Sequence, residues 1–568
     1  MKMTGAKVII ECLLEQGVDT VFGYPGGTIL NVYDALYDYR DRITHIRTSH
    51  EQGASHAADG YARSTGKVGV CFATSGPGCT NLVTGIATAY MDSSPVVFLT
   101  CNVSEGLIGK DSFQEVDITG ITMPITKSNY IVSHADQLPD VIREAFAIAR
   151  SGRPGPVLID VLKNATAEET DYVPLARSMH HTSGRLRTLI QRASHDLRAP
   201  EPDVADIEKL VEMIGAAKKP LLICGGGVVR SRAHREFEEF ANRIDAPVAI
   251  TVMGAGGLRG RNPLTTGMIG MHGSKASNMA VDNCDLLIAI VCRFSDRVAL
   301  DPSTFARQAK VVQIDIDRSE INKNVLTDHH IIGDARRVLE MLNELVPACR
   351  HQEWKEYVFS FPTETEYTLS GDALNPRQVT DVIARVCPQD TIVTTDVGQH
   401  QMWAIQHFHY DYPGQLITSG GFGTRGFGLG AAIGAKVSHP DKCVIHITGD
   451  GSFRMNCNEL ATVATYKLPI ITILFNNQTL GMVRQWQTLI YNQRYCETDE
   501  APVLDYVKLA EAYGLGGRRV NNAADFETAL QEALQCGHGY VIDCVIDVDE
   551  KVRPMVSGGD PITKFIIH

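Results

Sequence analysis

Residues 443–477 read CVIHITGDGSFRMNCNELATVATYKLPIITILFNN. Two short runs of β-branched and aliphatic residues, VIHIT and ITILF, have the character of buried parallel strands. The first ends on Gly449-Asp450-Gly451 and the second on Asn476-Asn477, with 24 residues between Gly451 and Asn476. Gly451 opens a helix-like stretch, so the unit reads strand, helix, strand. In open α/β sheets ligands bind at the carboxyl ends of the strands, and this order places Asp450 and Asn477 on one sheet edge. A helix N-terminus at that edge offers free N–H groups to a diphosphate. One carboxylate, one amide oxygen and one backbone carbonyl, completed by phosphate oxygens, make a hard-oxygen set suited to Mg²⁺. Two ordinary strand-end turns would also give a lone GDG. The NN pair, the spacing and the flanking strands favour the ligand site.

The same alternation runs outward through the chain. In the first third DTVFGYPGG, VGVCFATSG, PVVFLTC and GPVLIDVL read as strands, separated by helix-like HEQGASHAADGYAR and CTNLVTGIATAYM. A second series holds KPLLICGGGV, APVAITVM, CDLLIAIVC and KVVQIDID, and a third holds DTIVTTDVG, CVIHITGDG, IITILFNN and YVIDCVIDV. Strand–helix alternation of this kind predicts α/β architecture with three doubly wound parallel-sheet domains, and 568 residues suit that number. The expected domains are 1–175, 205–348 and 373–568, joined by linkers 176–204 and 349–372. The first linker is polar and rich in Arg and His, and RLRTLIQRASHDLR within it has the spacing for a helical turn or two. TSGPG then IATAY, at 74–90, echoes TGDG then VATY, at 448–466. The echo is compatible with a common origin of the first and third units.

Hydrophobic residues make up 44% and charged residues 21%, as in soluble globular proteins. A net charge of −13 without a long basic block argues against nucleic acid or an anionic membrane as partners. The 14 cysteines are scattered singly without a CxxC, which predicts reduced, mostly buried thiols rather than disulfides or zinc. MKMTGAKVIIECLLEQG opens in a helix-like pattern without a secretory core, and no apolar run reaches membrane-spanning length. A cytoplasmic protein is expected.

The 443–477 stretch resembles the thiamine-diphosphate-binding signature, and the rest of the chain is similar to the acetohydroxyacid (acetolactate) synthases. The motifs that carry the resemblance are GYPGG at 23–27, SHEQGASHAADGYAR at 49–63, SGPG at 75–78 and DSFQEVD at 111–117. They continue with GRPGPVLID at 152–160, GMHG at 270–273, RFSDR at 293–297, VGQHQMW at 397–403 and GMVRQWQ at 481–487. In that family the first, pyrimidine-binding domain and the third, diphosphate-binding domain hold thiamine diphosphate across a dimer interface, and the central domain holds FAD. The resemblance implies decarboxylation of pyruvate and condensation with a second 2-oxo acid, with the cofactor carrying the hard chemistry.

Carried over position by position, the resemblance makes Glu51 the partner of the aminopyrimidine N1′, where its carboxyl exchanges a proton. Gln114 and Lys163 would hold the oxo acid's carbonyl or carboxylate, beside Gly27 and Phe113. Mg²⁺ would take Asp450, Asn477 and the carbonyl of Thr479. Pro77 and Asn81 join Glu51 as thiamine diphosphate contacts. Val397, Gly398, Gln399 and His400 form one cofactor loop, Gly451 and Ser452 a second, and Leu480, Gly481 and Met482 a third. Gly423 and Arg425 lie in a fourth, GGFGTRGFGLG.

In the central segment Gly225-Gly226-Gly227 after PLLIC would let backbone approach a phosphate or ribose. Acids at strand ends, Asp315 beside Ile316 and Asp334, could hold ribose or adenine; ordinary turns would look the same. By resemblance Arg153, Thr251, Met271, His272, Gly273 and Arg293 also fall on FAD positions. Val483 and Trp486 stand three apart in GMVRQWQ, on one face of a helix. In the family this Trp shapes the acceptor site, with Met271 and Arg297, and favours 2-oxobutanoate over pyruvate. That marks the branched-chain amino-acid biosynthetic type, a homodimer or dimer of dimers with a separate small regulatory subunit.

The chain departs from the family in four places. Arg425 stands where Met is usual, Ser295 where Asp is common, Leu162 where Pro is frequent before Lys163, and Thr28 where Ala is often found, an exchange expected to narrow the substrate pocket. Two alternatives share these motifs: another thiamine-dependent 2-oxo-acid decarboxylase or oxidase, and a catalytically silent cofactor-binding paralogue.

Overall fold

The computed structural model describes residues 1–175, 199–363, 373–499 and 504–566. It contains three six-stranded parallel sheets. In the first, β1 (Thr20–Gly23), β2 (Thr44–Arg47), β3 (Gly69–Thr74), β4 (Val96–Asn102), β5 (Ser128–Val132) and β6 (Val157–Leu162) lie in the order β2-β1-β3-β4-β6-β5. The inner strands β3, β4 and β6 are buried along their whole length. Continuous apolar runs rather than alternating ones follow from helices covering both sheet faces.

The central sheet runs β9-β8-β7-β10-β11-β12. Its strands are β7 (Pro220–Cys224), β8 (Val248–Ile250), β9 (Thr265–Met268), β10 (Leu286–Ile290), β11 (Lys310–Asp315) and β12 (His329–Ile332). The third sheet contains β13 (Ile392–Thr395), β14 (Leu416–Thr418), β15 (Val444–Gly449), β16 (Ile470–Asn476), β17 (Gly516–Val520) and β18 (Tyr540–Val545). Its order, β14-β13-β15-β16-β18-β17, repeats that of the first sheet strand for strand.

By packing, the chain forms two compact units. One comprises residues 1–198, 419–444 and 455–470; the other comprises 199–418, 445–454 and 471–568. Within the first unit the helix Glu51–Thr65 lies against the helix Phe427–Ser438. Their seam is built from glycine: a Cβ on Gly434 would sit 1.9 Å from the Ala57 carbonyl oxygen, and one on Gly60 would sit 2.3 Å from that of Ala431. Within the second unit the central core gathers residues such as Phe237, Phe240 and Ile288.

Three local readings change. Residues Lys2–Thr4 form a short strand paired antiparallel with Glu169–Asp171, and the first helix begins only at Gly5, capped by the Thr4 hydroxyl. The stretch CTNLVTGIATAYM divides into helices Pro77–Thr80 and Val83–Met91. Residues 349–372 contain a helix, Gln352–Phe359, whose buried Trp354 donates from its indole to the Pro220 carbonyl at 2.9 Å. The helical turn read at 185–198 lies outside the described residues. None of the 14 cysteines, all among the described residues, forms a disulfide, and eight are buried; burial pushes the Cys71, Cys101 and Cys544 thiols well above their usual range, the condition of unreactive thiols. No helix among the described residues is long and apolar enough to cross a membrane.

Candidate active site

An order of 2-1-3-4 makes the crevice between the first and third strands the topological switch point, where loops diverge and ligands bind. In the first sheet the loop after β1 is GYPGGT and the loop after β3 is SGPG. Thr28 joins them: its hydroxyl lies 2.8 Å from the Thr74 hydroxyl, donates to the Cys101 carbonyl at 2.5 Å, and accepts from the Ser75 N–H at 3.1 Å. The hydroxyl at this departure from the family is therefore spent fastening two loops. Gly26 has no room for a side chain, since a Cβ would meet Thr74 at 2.4 Å, whereas Gly27 faces open space.

Glu51 is the first residue of its helix and is 9% exposed. Its carboxylate accepts from the Asn81 amide at 2.9 Å. Pro77 opens the short helix that precedes Asn81. Gln114 adopts a left-handed backbone, φ 60°, and packs so closely that a Cβ on Gly76 would sit 2.8 Å from its own Cβ. Phe113 beside it is 88% exposed. The loop is tied by Glu115, whose carboxylate accepts from the N–H groups of Gly109, Lys110 and Ser112; these bonds hold it below the usual carboxylate range. Lys163 starts the helix after β6 and is exposed.

In the third sheet the switch point lies between β13 and β15. The loop after β13 holds Val397–His400, and the turn after β15 holds Asp450, Gly451 and Ser452. The Ser452 hydroxyl donates to the Val397 carbonyl at 3.0 Å and joins the two. The His400 ring fills the space beside both glycines, for a Cβ on Gly398 or on Gly449 would come within 2.8 Å of it. Asp450 is buried, and one carboxylate oxygen accepts from the Gly451 N–H at 2.9 Å.

Asn477 follows β16, and its amide donates to Gln399 Oε1 at 3.2 Å. That bond aims the amide oxygen away from Gln399. The Gln399 side chain is fully engaged, since it also donates to Gln485 Oε1 at 2.9 Å and to the Glu550 carbonyl at 2.8 Å. Gly481 is required here, as a Cβ would stand 2.0 Å from Gln399 Oε1. Gln478 is left-handed, φ 55°, and turns the chain between Asn477 and Thr479. Among the described residues no group of three His, Cys, Asp or Glu could hold a metal ion. A divalent ion here would thus rely on Asp450, neutral oxygens from Asn477 and Thr479, and the ligand's own phosphates, which is the donor set Mg²⁺ prefers.

Sequence reasoning missed the base of this site. Asp396, the residue before Val397, accepts from the Thr448 hydroxyl at 2.5 Å and lies 3.3 Å from His446 Nε2. Burial pushes its carboxyl up, but the His446 ring and the Thr448 hydroxyl outweigh burial and hold it below its usual value. The pair fastens β13 to β15 immediately beneath the two ligand loops. The only sequence signal was a histidine in an otherwise apolar strand.

The central sheet, β9-β8-β7-β10-β11-β12, has its switch point between β7 and β10. The loops there hold Gly225–Gly227 and Val291–Arg297, including Arg293. Val291 and Phe294 are left-handed, φ 48° and 49°, a costly conformation for a β-branched residue that gathers at ligand sites. The glycines have a nearer reason than a ligand: Cβ atoms on Gly225 and Gly227 would lie 2.0 Å from Val291. Asp334 caps the helix Ala335–Leu345 through the Arg336 N–H, and Thr251 caps Gly254. Asp315 accepts from the Asp317 N–H, and Arg153 donates to the Ser93 hydroxyl at 2.8 Å.

Met271 exchanges backbone bonds with Arg297 and Val556, and the exposed Arg297 guanidinium lies 3.8 Å from the Met271 sulfur. Gly273 is crowded by Asn278 and His272 is buried. The helix Gly481–Leu489 carries Val483 and Trp486, and Trp486 packs on the core cluster that contains Met271, Val556 and Ile562.

Three linked domains with these loops define the class. The chain matches the family model of the thiamine pyrophosphate enzyme N-terminal TPP binding domain over residues 3–121, that of the central domain over 207–342, and that of the C-terminal TPP binding domain over 396–544. It is 44% identical over 577 residues to a probable acetolactate synthase large subunit of Methanocaldococcus jannaschii, covering 99% of this chain and 95% of that protein. It is 43% identical over 565 residues to the acetolactate synthase isozyme 2 large subunit of Escherichia coli, covering 98% of each. The probable acetolactate synthase large subunit of Methanococcus aeolicus is 42% identical over 583 residues, covering 99% of this chain and 95% of that protein. The chain belongs to the acetolactate synthase large subunits, within the thiamine pyrophosphate enzymes.

Proposed function

We propose that the chain is the catalytic subunit of an acetolactate synthase. It decarboxylates pyruvate and joins the two-carbon remainder to a second 2-oxo acid. Pyruvate as acceptor gives 2-acetolactate, and 2-oxobutanoate gives 2-aceto-2-hydroxybutanoate, in valine, leucine and isoleucine biosynthesis. The observation that carries this reading is the convergence of the Val397–His400, Asp450–Ser452 and Asn477–Met482 loops on one sheet edge at its switch point.

Thiamine diphosphate, when bound, supplies the nucleophilic carbon and the electron sink for loss of CO₂. The chain's residues do the rest. Asp450, Asn477 and the Thr479 carbonyl would hold Mg²⁺, and the turn at Gly451 and Ser452 would lie against the diphosphate. Glu51, fixed by Asn81, holds the pyrimidine at N1′ and exchanges a proton there. Gln114 and Lys163 orient the oxo acid, and Trp486 with Val483 shapes the acceptor side. FAD, bound at the central switch point near Arg293, would be structural, because the reaction involves no net oxidation. The relatives' designation as large subunits supports a separate small regulatory partner. The assembly is a homodimer or dimer of dimers, and the location is cytoplasmic.

The test is incubation with pyruvate, thiamine diphosphate and Mg²⁺, with and without 2-oxobutanoate and FAD. Acetolactate as the product supports the proposal. Acetaldehyde or acetate would assign a decarboxylase or oxidase instead, and no turnover at saturating cofactor would assign a silent paralogue.

A further inference from the structure

We infer that Glu459 is a positioning residue that sets the place of Glu51; the catalytic part of the inference rests on the role proposed for Glu51 above. Glu459 is fully buried, 0% exposed, in the segment 455–470 of the first compact unit. Its two oxygens accept from the Ser49 N–H at 3.1 and 3.2 Å, the His50 N–H at 3.1 Å and the Thr462 hydroxyl at 2.6 Å. Ser49 and His50 are the two residues immediately before Glu51, so the carboxylate grips the turn from which the catalytic side chain projects.

A second observation is independent of those bonds. A Cβ on Gly53 would lie 2.1 Å from Glu459 Oε1, so glycine at 53 is the condition for Glu459 to reach the turn. Burial pushes the Glu459 carboxyl up, opposed by the Thr462 hydroxyl and the two N–H groups. Thr28, Asn81 and the β1–β3 loops hold the other side of the site; Glu459 fixes the helix entry itself. An aim error of about 1 Å at a reacting group can cost roughly 10²-fold in rate.

The experiment compares Glu459→Ala, Glu459→Gln and Gly53→Ala. Glutamine can keep both backbone bonds with its carbonyl, because the Thr462 hydroxyl can reverse and accept from the new amide. Alanine at 459 loses the bonds, and alanine at 53 displaces the carboxylate without altering it. Glu459→Ala and Gly53→Ala should lower kcat by roughly 10²-fold, with the KM for pyruvate within about threefold of the parent. Glu459→Gln should recover most of the rate. In the cofactor-free protein, amide hydrogen exchange at Ser49 and His50 should speed up at least about tenfold in Glu459→Ala and stay near the parent in Glu459→Gln.

Unchanged exchange in Glu459→Ala overturns the inference, whatever Glu51 does. The combination with Glu51→Gln separates the two readings. If Glu51→Gln alone keeps full activity, the role of Glu51 fails while the exchange result still judges the grip. If Glu51→Gln is impaired, adding Glu459→Ala should cost little more, since residues acting as one unit are not additive. A further loss of roughly 10²-fold in the double variant would mean that Glu459 acts apart from Glu51 and would sink the inference.

Discussion

At the scale of single residues the structure separates side chains that are already occupied from those left for a ligand. Gln399 spends its amide on Asn477, Gln485 and the Glu550 carbonyl, whereas the Glu51 carboxylate takes a bond from Asn81 and has room for a ligand's. Glu51→Gln keeps the shape and removes the carboxylate. It should still bind thiamine diphosphate, while the thiazolium C2 proton exchanges about 10²–10⁴-fold more slowly; normal exchange, read by NMR, removes Glu51 from the reaction. Arg425 is the opposite case. It sits half-buried between two left-handed glycines, Gly423 with φ 70° and Gly426 with φ 77°, and has no hydrogen-bonding or ionic partner among the described residues. By the family resemblance this position would lie beside the cofactor's positively charged thiazolium, where an unpaired guanidinium would weaken binding; an unbranched methionine would fill the same space without needing a polar partner. Arg425→Met should therefore tighten thiamine diphosphate by roughly 3- to 10-fold and raise activity at limiting cofactor. Equal affinity and equal rate would mean that this side chain does not face the cofactor. Trp486 packs on the Met271 cluster, and Trp486→Leu should erase a preference worth about 1–3 kcal/mol for 2-oxobutanoate, read as the product ratio in a competition assay.

At the scale of elements, the helix Glu51–Thr65 and the helix Phe427–Ser438 meet through Gly60, Gly430 and Gly434. Gly434→Val would drive side-chain atoms onto the Ala57 carbonyl, and overpacking of this kind costs about 1–3 kcal/mol. A melting temperature lowered by several degrees is the expected result; an unchanged one would show that the seam can open without loss. A buried arginine of the first helix, Arg63, bonds Asp59 at 2.7 and 2.8 Å and Asp92 at 3.1 Å, and Asp92 accepts from the Gly420 and Gly421 N–H groups in the loop that leads to the second helix. Here the limits of sequence reading are physical. Strands such as VGVCFAT and IITILFNN announce themselves because burial on both faces demands continuous apolar residues, and GDG with NN announces a ligand edge because their spacing sets a carboxylate and an amide at the ends of two successive strands. Glu459 and Asp92 gave no such signal. Each is an acid in an ordinary stretch, and the backbone N–H groups it accepts from lie hundreds of residues away, so only tertiary structure brings donor to acceptor. Thr28 was read as crowding the pocket because its hydroxyl partners, on β3 and β4, cannot be seen from position 28 alone.

At the scale of the whole molecule, the first and third sheets share one strand order and the central sheet has another, which agrees with the short sequence echo between 74–90 and 448–466. The two compact units also differ in how burial treats their histidines. Burial pushes His45, in the first unit, from about 6.5 down to about 4. It does the same to His272 and His407, both in the second unit. In the unfolded chain these rings gain their proton near 6.5, but in the folded chain only near 4. The unfolded state therefore binds more protons throughout that window, and stability that is full above about 6.5 is lost as the pH falls toward 4. Each such ring contributes a slope of up to about 1.4 kcal/mol per pH unit. Among the described residues the first unit carries one ring pushed to about 4 and the second carries two, with His351 also lowered by burial, so the second should lose stability more steeply. Chains of this size need not unfold in a single step. Calorimetric scans between pH 7 and pH 4.5 should thus show the melting midpoint falling, with any resolved second transition moving faster than the first. A neutral substitute at 407, His407→Gln, should flatten the steeper of the two. A midpoint that stays level across this window would mean that the rings accept protons in the folded chain as readily as in water, and that their burial is relieved by motion the folded structure permits.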